Sequence, residues 1–101
     1  MNRLFIEPEY LEMLTNIFKQ YCPNAEIWAY GSRLNGNAHE GSDLDLVVKN
    51  FNSSQANLFE LRELISDSNI PFLIDIHEFD KLSKSFQDEI EKNYIIIYNN
   101  F

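Results

Sequence analysis

Asp43, Asp45, Asp75 and the turn Gly31-Ser32 are the residues whose types and spacing could do chemistry. Asp43 and Asp45 alternate with aliphatic residues in Ser42-Asp43-Leu44-Asp45-Leu46-Val47-Val48. Successive side chains of a strand point to opposite faces, so the two carboxylates share one face and Leu44 and Leu46 the other. Neighbouring carboxylates repel unless a cation lies between them. Hard oxygen ligands at that spacing suit Mg²⁺, which completes its shell with phosphate oxygens and water. Gly31-Ser32 follows the apolar run Ile27-Trp28-Ala29-Tyr30, and such a turn offers backbone N–H groups and a hydroxyl to phosphate. Singly, an Asp-x-Asp pair reads as a solvated strand face and a Gly-Ser pair as a turn. Their order, with Arg33 and Gly36 between them, is the specific signal, and it points to nucleotide chemistry.

These residues need elements to hold them. Residues 8–21 read as an amphipathic helix: Pro8 suits its first position, and Leu11, Leu14, Ile17, Phe18 and Tyr21 recur at helical spacing. Cys22-Pro23-Asn24 ends it, because a proline disfavours helical geometry in the residue before it. Residues 26–30 and 43–49 are the first two predicted strands. A short helix opening at Ser32 would turn its N-terminus toward phosphate, and residues 35–40 form a loop with His39 exposed, where Gly36 and, just after it, Gly41 supply unusual backbone angles. Ser42 fixes the turn into the second strand.

A helix near residues 55–66, capped from Asn52-Ser53-Ser54, would bury Leu58, Leu61, Leu64 and Ile65. Pro71 precedes a third strand, residues 72–77, expected at the centre of the sheet, on which Leu73, Asp75 and His77 share a face. A carboxylate between Ile74 and Ile76 on such a strand serves packing poorly, so Asp75 is read as a site residue, with His77 as its neighbour. Ser83 caps a further helix with Phe86 and Ile90 on its inner face, and residues 94–98 form a terminal strand. Trp28 and most other aromatic residues belong to the core. Helices alternating with strands give the α/β (α+β) class: one small domain over residues 1–101, a mixed sheet of about four strands flanked by helices.

Composition narrows the partners. A 45% hydrophobic fraction with 14% aromatic residues specifies a folded globule rather than a disordered chain. No apolar run is long enough to span a bilayer and residues 1–10 lack a signal-peptide core, so no membrane role and a cytoplasmic location are expected. The single cysteine, Cys22, has no partner for an internal disulfide and reads as a small buried hydrophobe. Formal charge is −8, and the eight basic residues are scattered, so independent nucleic-acid binding is not expected. An acidic surface does leave room for a basic protein partner.

The order Gly31-Ser32, then Asp43-Leu44-Asp45, then Asp75 on a later strand resembles the signature of the nucleotidyltransferase superfamily that includes DNA polymerase β. Within it the chain is most similar to the minimal nucleotidyltransferases, the antitoxin type that accompanies HEPN proteins. The resemblance runs over residues 27–98.

It implies a nucleotidyltransferase enzyme moving a nucleoside monophosphate, AMP from ATP foremost among the NTPs, to a hydroxyl acceptor. Two divalent ions about 3.5–4 Å apart can stabilise the attacking and leaving oxygens. By the resemblance these are Mg²⁺, with Mn²⁺ as a substitute. Asp43 and Asp45 would bridge both ions, and Asp75 would complete the site of the ion nearer the acceptor and help position or deprotonate the hydroxyl. Gly31 and Ser32 would hold the β- and γ-phosphates, and Arg33 would add positive charge for the leaving pyrophosphate.

Larger superfamily members bind the acceptor with an additional domain, for which 101 residues leave no space. The resemblance therefore implies a small all-helical partner in a hetero-oligomer, either a HEPN-type toxin whose tyrosine accepts the nucleotide or a subunit that presents a small molecule. The second reading is a non-catalytic antitoxin that neutralises such a partner by binding.

Overall fold

The computed structural model describes residues 6–31, 43–51 and 57–99. Their elements are helix α1 (Pro8–Tyr21), strands β1 (Glu26–Tyr30) and β2 (Leu44–Lys49), helix α2 (Leu58–Ser66), strand β3 (Ile74–Glu78), a 3₁₀ turn (Phe79–Lys81), helix α3 (Lys84–Lys92) and strand β4 (Ile95–Tyr98). The strands form one mixed sheet in the order β3-β2-β1-β4. β1 pairs antiparallel with both β2 and β4, whereas β2 and β3 run parallel and are joined through α2. This is the α+β architecture expected from the sequence.

Side-chain alternation assigns the two faces. Ile27 and Ala29 of β1, Leu44, Leu46 and Val48 of β2, and Ile76 of β3 pack in one cluster with Leu14 and Phe18 of α1 and Leu61 and Ile65 of α2. Leu14, Phe18, Ile27, Leu44, Leu46 and Leu61 are fully buried. Burying such a side chain is worth about 1.5–3 kcal/mol, and it is these contacts that fix the strand registers. The opposite face is thinner. There Trp28, Val47, Phe79 and Ile90 form a second cluster under α3, with Tyr94 stacked on Trp28 at 3.9 Å between centroids. The end of that face not covered by this cluster carries the carboxylates.

Helix ends follow local chemistry. Pro8 sits in the first turn of α1, and the Cys22 N–H closes the last turn on the Phe18 carbonyl. Ser83 Oγ accepts from the Phe86 N–H at the start of α3, as expected. α2 differs: it begins at Leu58, not near 55. Asn57 is extended, and its Oδ1 accepts from the N–H groups of Phe59 (2.8 Å) and Glu60 (3.3 Å), so the helix starts where a side chain satisfies its orphan donors. Residues 52–56 lie outside the described set.

Two further expectations are corrected. Among the described residues β3 pairs with β2 alone, which makes it an edge strand and not a central one. Leu64 is exposed, since the helix is short and only Leu61 and Ile65 face the sheet squarely. Among the described residues no helix is long and apolar enough to cross a membrane.

Candidate active site

Burial of Leu44 and Leu46 on the helix-covered face sends the Asp45 side chain to the other one. Its neighbours there are set by pairing. Tyr30 is its antiparallel partner on β1, and Asp75 is its parallel partner on β3. The Leu44 N–H donates to the Leu73 carbonyl at 3.0 Å, which starts the β2–β3 ladder and places Asp45 beside Asp75. Asp43 is exposed just before β2. One sheet end therefore gathers Tyr30, Asp43, Asp45, Asp75 and His77.

Gly31 closes over Asp45. Its φ is +89°, a region that L side chains rarely adopt, and a Cβ built there would stand 2.5 Å from Asp45 Oδ2. The turn thus needs glycine twice, for its backbone angle and for the carboxylate beneath it. Ser32 and Arg33, the other expected nucleotide-binding residues, lie outside the described residues, as do Gly36, His39, Glu40, Gly41 and Ser42.

The electrostatics are those of concentrated negative charge. The Asp45 carboxyl is held above its usual range, first by burial and then by the charges of Asp75 and Asp43, with His77 pulling the other way. The Tyr30 hydroxyl is pushed up to about 12 by burial, reinforced by Asp45 and Asp75. Among the described residues no lysine or arginine forms an ion pair with Asp43, Asp45 or Asp75; the partner of Asp75 is His77, Nε2 to Oδ1 at 3.1 Å.

Such uncompensated carboxylates are the donor chemistry of a hard, oxygen-seeking divalent cation. The side chains do not yet close around a point: among the described residues no three His, Cys, Asp or Glu groups are gathered tightly enough to enclose a metal ion. The donor set fits such an ion in type, and Asp45 and Asp75 share one face.

Two residues at this site carried little or no signal in the sequence. Tyr30 could have been found, since it precedes Gly31 and lies in register with Asp45. It also meets Phe86 of α3 edge-on, at 5.9 Å and 86°. Arg62 carried no signal at all, because its contact with His77 spans 15 positions and depends on how α2 lies against β3.

A family model described as polymerase beta, nucleotidyltransferase matches residues 12–100. The chain is also 32% identical over 98 residues to the probable protein adenylyltransferase MntA of Haemophilus influenzae, an alignment that covers 94% of this chain and 84% of that protein.

Proposed function

The chain belongs to the polymerase β nucleotidyltransferase family and is a nucleotidyltransferase, and from that premise we propose that it transfers AMP from ATP to a hydroxyl of a partner protein. The observation that carries this is the parallel pairing of Asp45 with Asp75 beside the Gly31 turn, on a face where no described lysine or arginine pairs with them. The protein acceptor is favoured by the relative's name, which describes that protein as a probable protein adenylyltransferase. The acceptor in this reading is a tyrosine of a small helical, HEPN-type toxin; a small molecule presented by a helical subunit is the alternative. The net charge of −8 suits a basic ribonuclease as partner.

In this reading Asp43, Asp45 and Asp75 hold Mg²⁺, or Mn²⁺ in its place. The bound cation supplies positive charge to the α-phosphate and to the oxygens of the attacking and leaving groups. Gly31 and Ser32 bind the β- and γ-phosphates through backbone N–H groups and the serine hydroxyl, and Arg33 steadies the departing pyrophosphate. Asp75, half exposed at the sheet edge, orients the acceptor hydroxyl and takes its proton. The acceptor oxygen forms a bond to the α-phosphorus as the bond between that phosphorus and the α,β-bridging oxygen breaks, and the electron pair leaves with pyrophosphate.

The test is transfer of label from α-labelled ATP, with Mg²⁺, into the neighbouring helical protein, with the Asp43→Ala/Asp45→Ala double variant alongside. Label on that protein with wild type alone establishes the reading. Neutralisation of the partner by both forms, with label from neither, would replace it with an antitoxin that acts by binding.

A further inference from the structure

Among the described residues β3 has no neighbour on its outer side, so no described strand restrains the residues along that edge. The Leu44 N–H bonds to the Leu73 carbonyl, and alternate residues of a parallel strand bond to the same neighbour, so the Ile76 carbonyl points outward. Arg62 of α2 covers it. Its Nε and Nη2 donate to the Ile76 oxygen at 3.2 and 2.8 Å, which fixes the plane of the guanidinium. The same Nη2 lies 3.4 Å from Nδ1 of His77, whose Nε2 lies 3.1 Å from Asp75 Oδ1.

We propose that Arg62 and His77 form a positioning relay that aims Asp75, with His77 held as the Nε2–H tautomer. The proposal rests on the reading of Asp75 as a site carboxylate. A guanidinium carries only donors, so Nδ1 must turn a lone pair toward it and the ring proton must sit on Nε2. That proton is given to Oδ1 of Asp75, which leaves Oδ2 for a cation or an acceptor hydroxyl.

A lysine or arginine at position 77 would also orient Asp75, but its permanent charge would compete with a divalent ion. Here the permanent positive charge stays one residue back, on Arg62, and the group that touches Asp75 is an imidazole N–H. Partners that hold a ligating carboxylate in this way typically change metal affinity by about 10–100-fold when removed.

The test uses the full chain labelled with ¹⁵N, whose two histidines, His39 and His77, are told apart with His77→Gln. Long-range proton–nitrogen correlation in mildly alkaline buffer should show His77 wholly as the Nε2–H form. Arg62→Met should shift the Nδ1 resonance, whose lone pair loses the guanidinium donor, while the Nε2–H bonded to Asp75 stays in place. Nδ1–H in the wild type, or no difference between wild type and Arg62→Met, overturns the relay.

In parallel, Mn²⁺ binding is measured with a non-hydrolysable ATP analogue present. His77→Leu should weaken it about tenfold or more. His77→Gln, whose amide N–H can reach the same oxygen, should keep most of it. A folded His77→Leu chain, checked by its melting midpoint, that binds Mn²⁺ as tightly as wild type also overturns the relay. Failure of the wild type to bind Mn²⁺ overturns the site reading instead, and the tautomer spectrum still decides the relay.

Discussion

Gly31→Ala is the substitution whose cost the structure specifies most closely. Two separate penalties are written into the position. The first is the backbone: φ is +89°, and left-handed geometry costs an L residue about 1–2 kcal/mol. The second is contact. The new Cβ would meet Asp45 Oδ2 at 2.5 Å and Cγ at 3.3 Å, while Asp45 Cβ at 3.5 Å is an ordinary neighbour. The carboxylate is the end of a side chain and can rotate aside, at about 0.5–1.5 kcal/mol for leaving its rotamer. Alanine also loses less chain entropy on folding, which returns about 0.4–1 kcal/mol. The net is a loss of about 1.5 kcal/mol, roughly a 6–12 °C fall in melting midpoint for a domain of this size.

The two penalties separate in a double-mutant cycle. In an Asp45→Ala background Oδ2 and Cγ are gone, so Gly31→Ala should cost only the backbone part. Denaturant unfolding of the four proteins should give a coupling of about 0.5–1.5 kcal/mol between the positions. Equal costs of Gly31→Ala in both backgrounds would refute the packing of the turn onto Asp45. Transfer activity adds a second reading, since a carboxylate rotated away from Asp75 should lose activity even where the chain is fully folded.

Asp45→Asn tests the charge. Because the folded carboxyl sits above its ordinary value, the native state binds more protons than the unfolded state between the two values, and stability falls as pH rises through that window. In chelator at neutral pH the asparagine variant should therefore melt above wild type, the difference fading as pH falls toward the ordinary carboxylate value, and Mg²⁺ should restabilise wild type alone. A variant that melts lower at neutral pH, or responds equally to Mg²⁺, contradicts it. Cys22 is buried and its thiol is pushed up to about 11 by burial, so an aromatic disulfide reagent at neutral pH should modify it only as fast as the chain opens. Modification at the rate of a free thiol would show that the α1–β1 corner is not packed as described.

The elements were legible because their signals are local. Pro8, the spacing of Leu14 and Phe18, and the break at Cys22-Pro23 define α1 within one window, and its observed limits are those expected. Period-two alternation put Asp45 on the face opposite Leu44 and Leu46 without any knowledge of partners. The start of α2 was missed because Asn52, Ser53, Ser54 and Asn57 are all good cap residues, and only the backbone at Asn57 shows which one is used.

The sequence by itself thus determined the mixed helix–strand content, the turn of Asp45 away from the face of Leu44 and Leu46, and the company of a glycine turn beside it. Tertiary structure decided what those residues meet. Strand order put β3 at the edge rather than the centre, register brought Asp75 beside Asp45, and the fall of α2 across that edge set Arg62 against His77. Pairing order and helix docking follow from the joint burial of Leu44, Leu46, Ile76, Leu61 and Phe18, residues far apart in the chain. No single window of sequence contains that sum, which is why the site's chemistry could be read locally and its geometry could not.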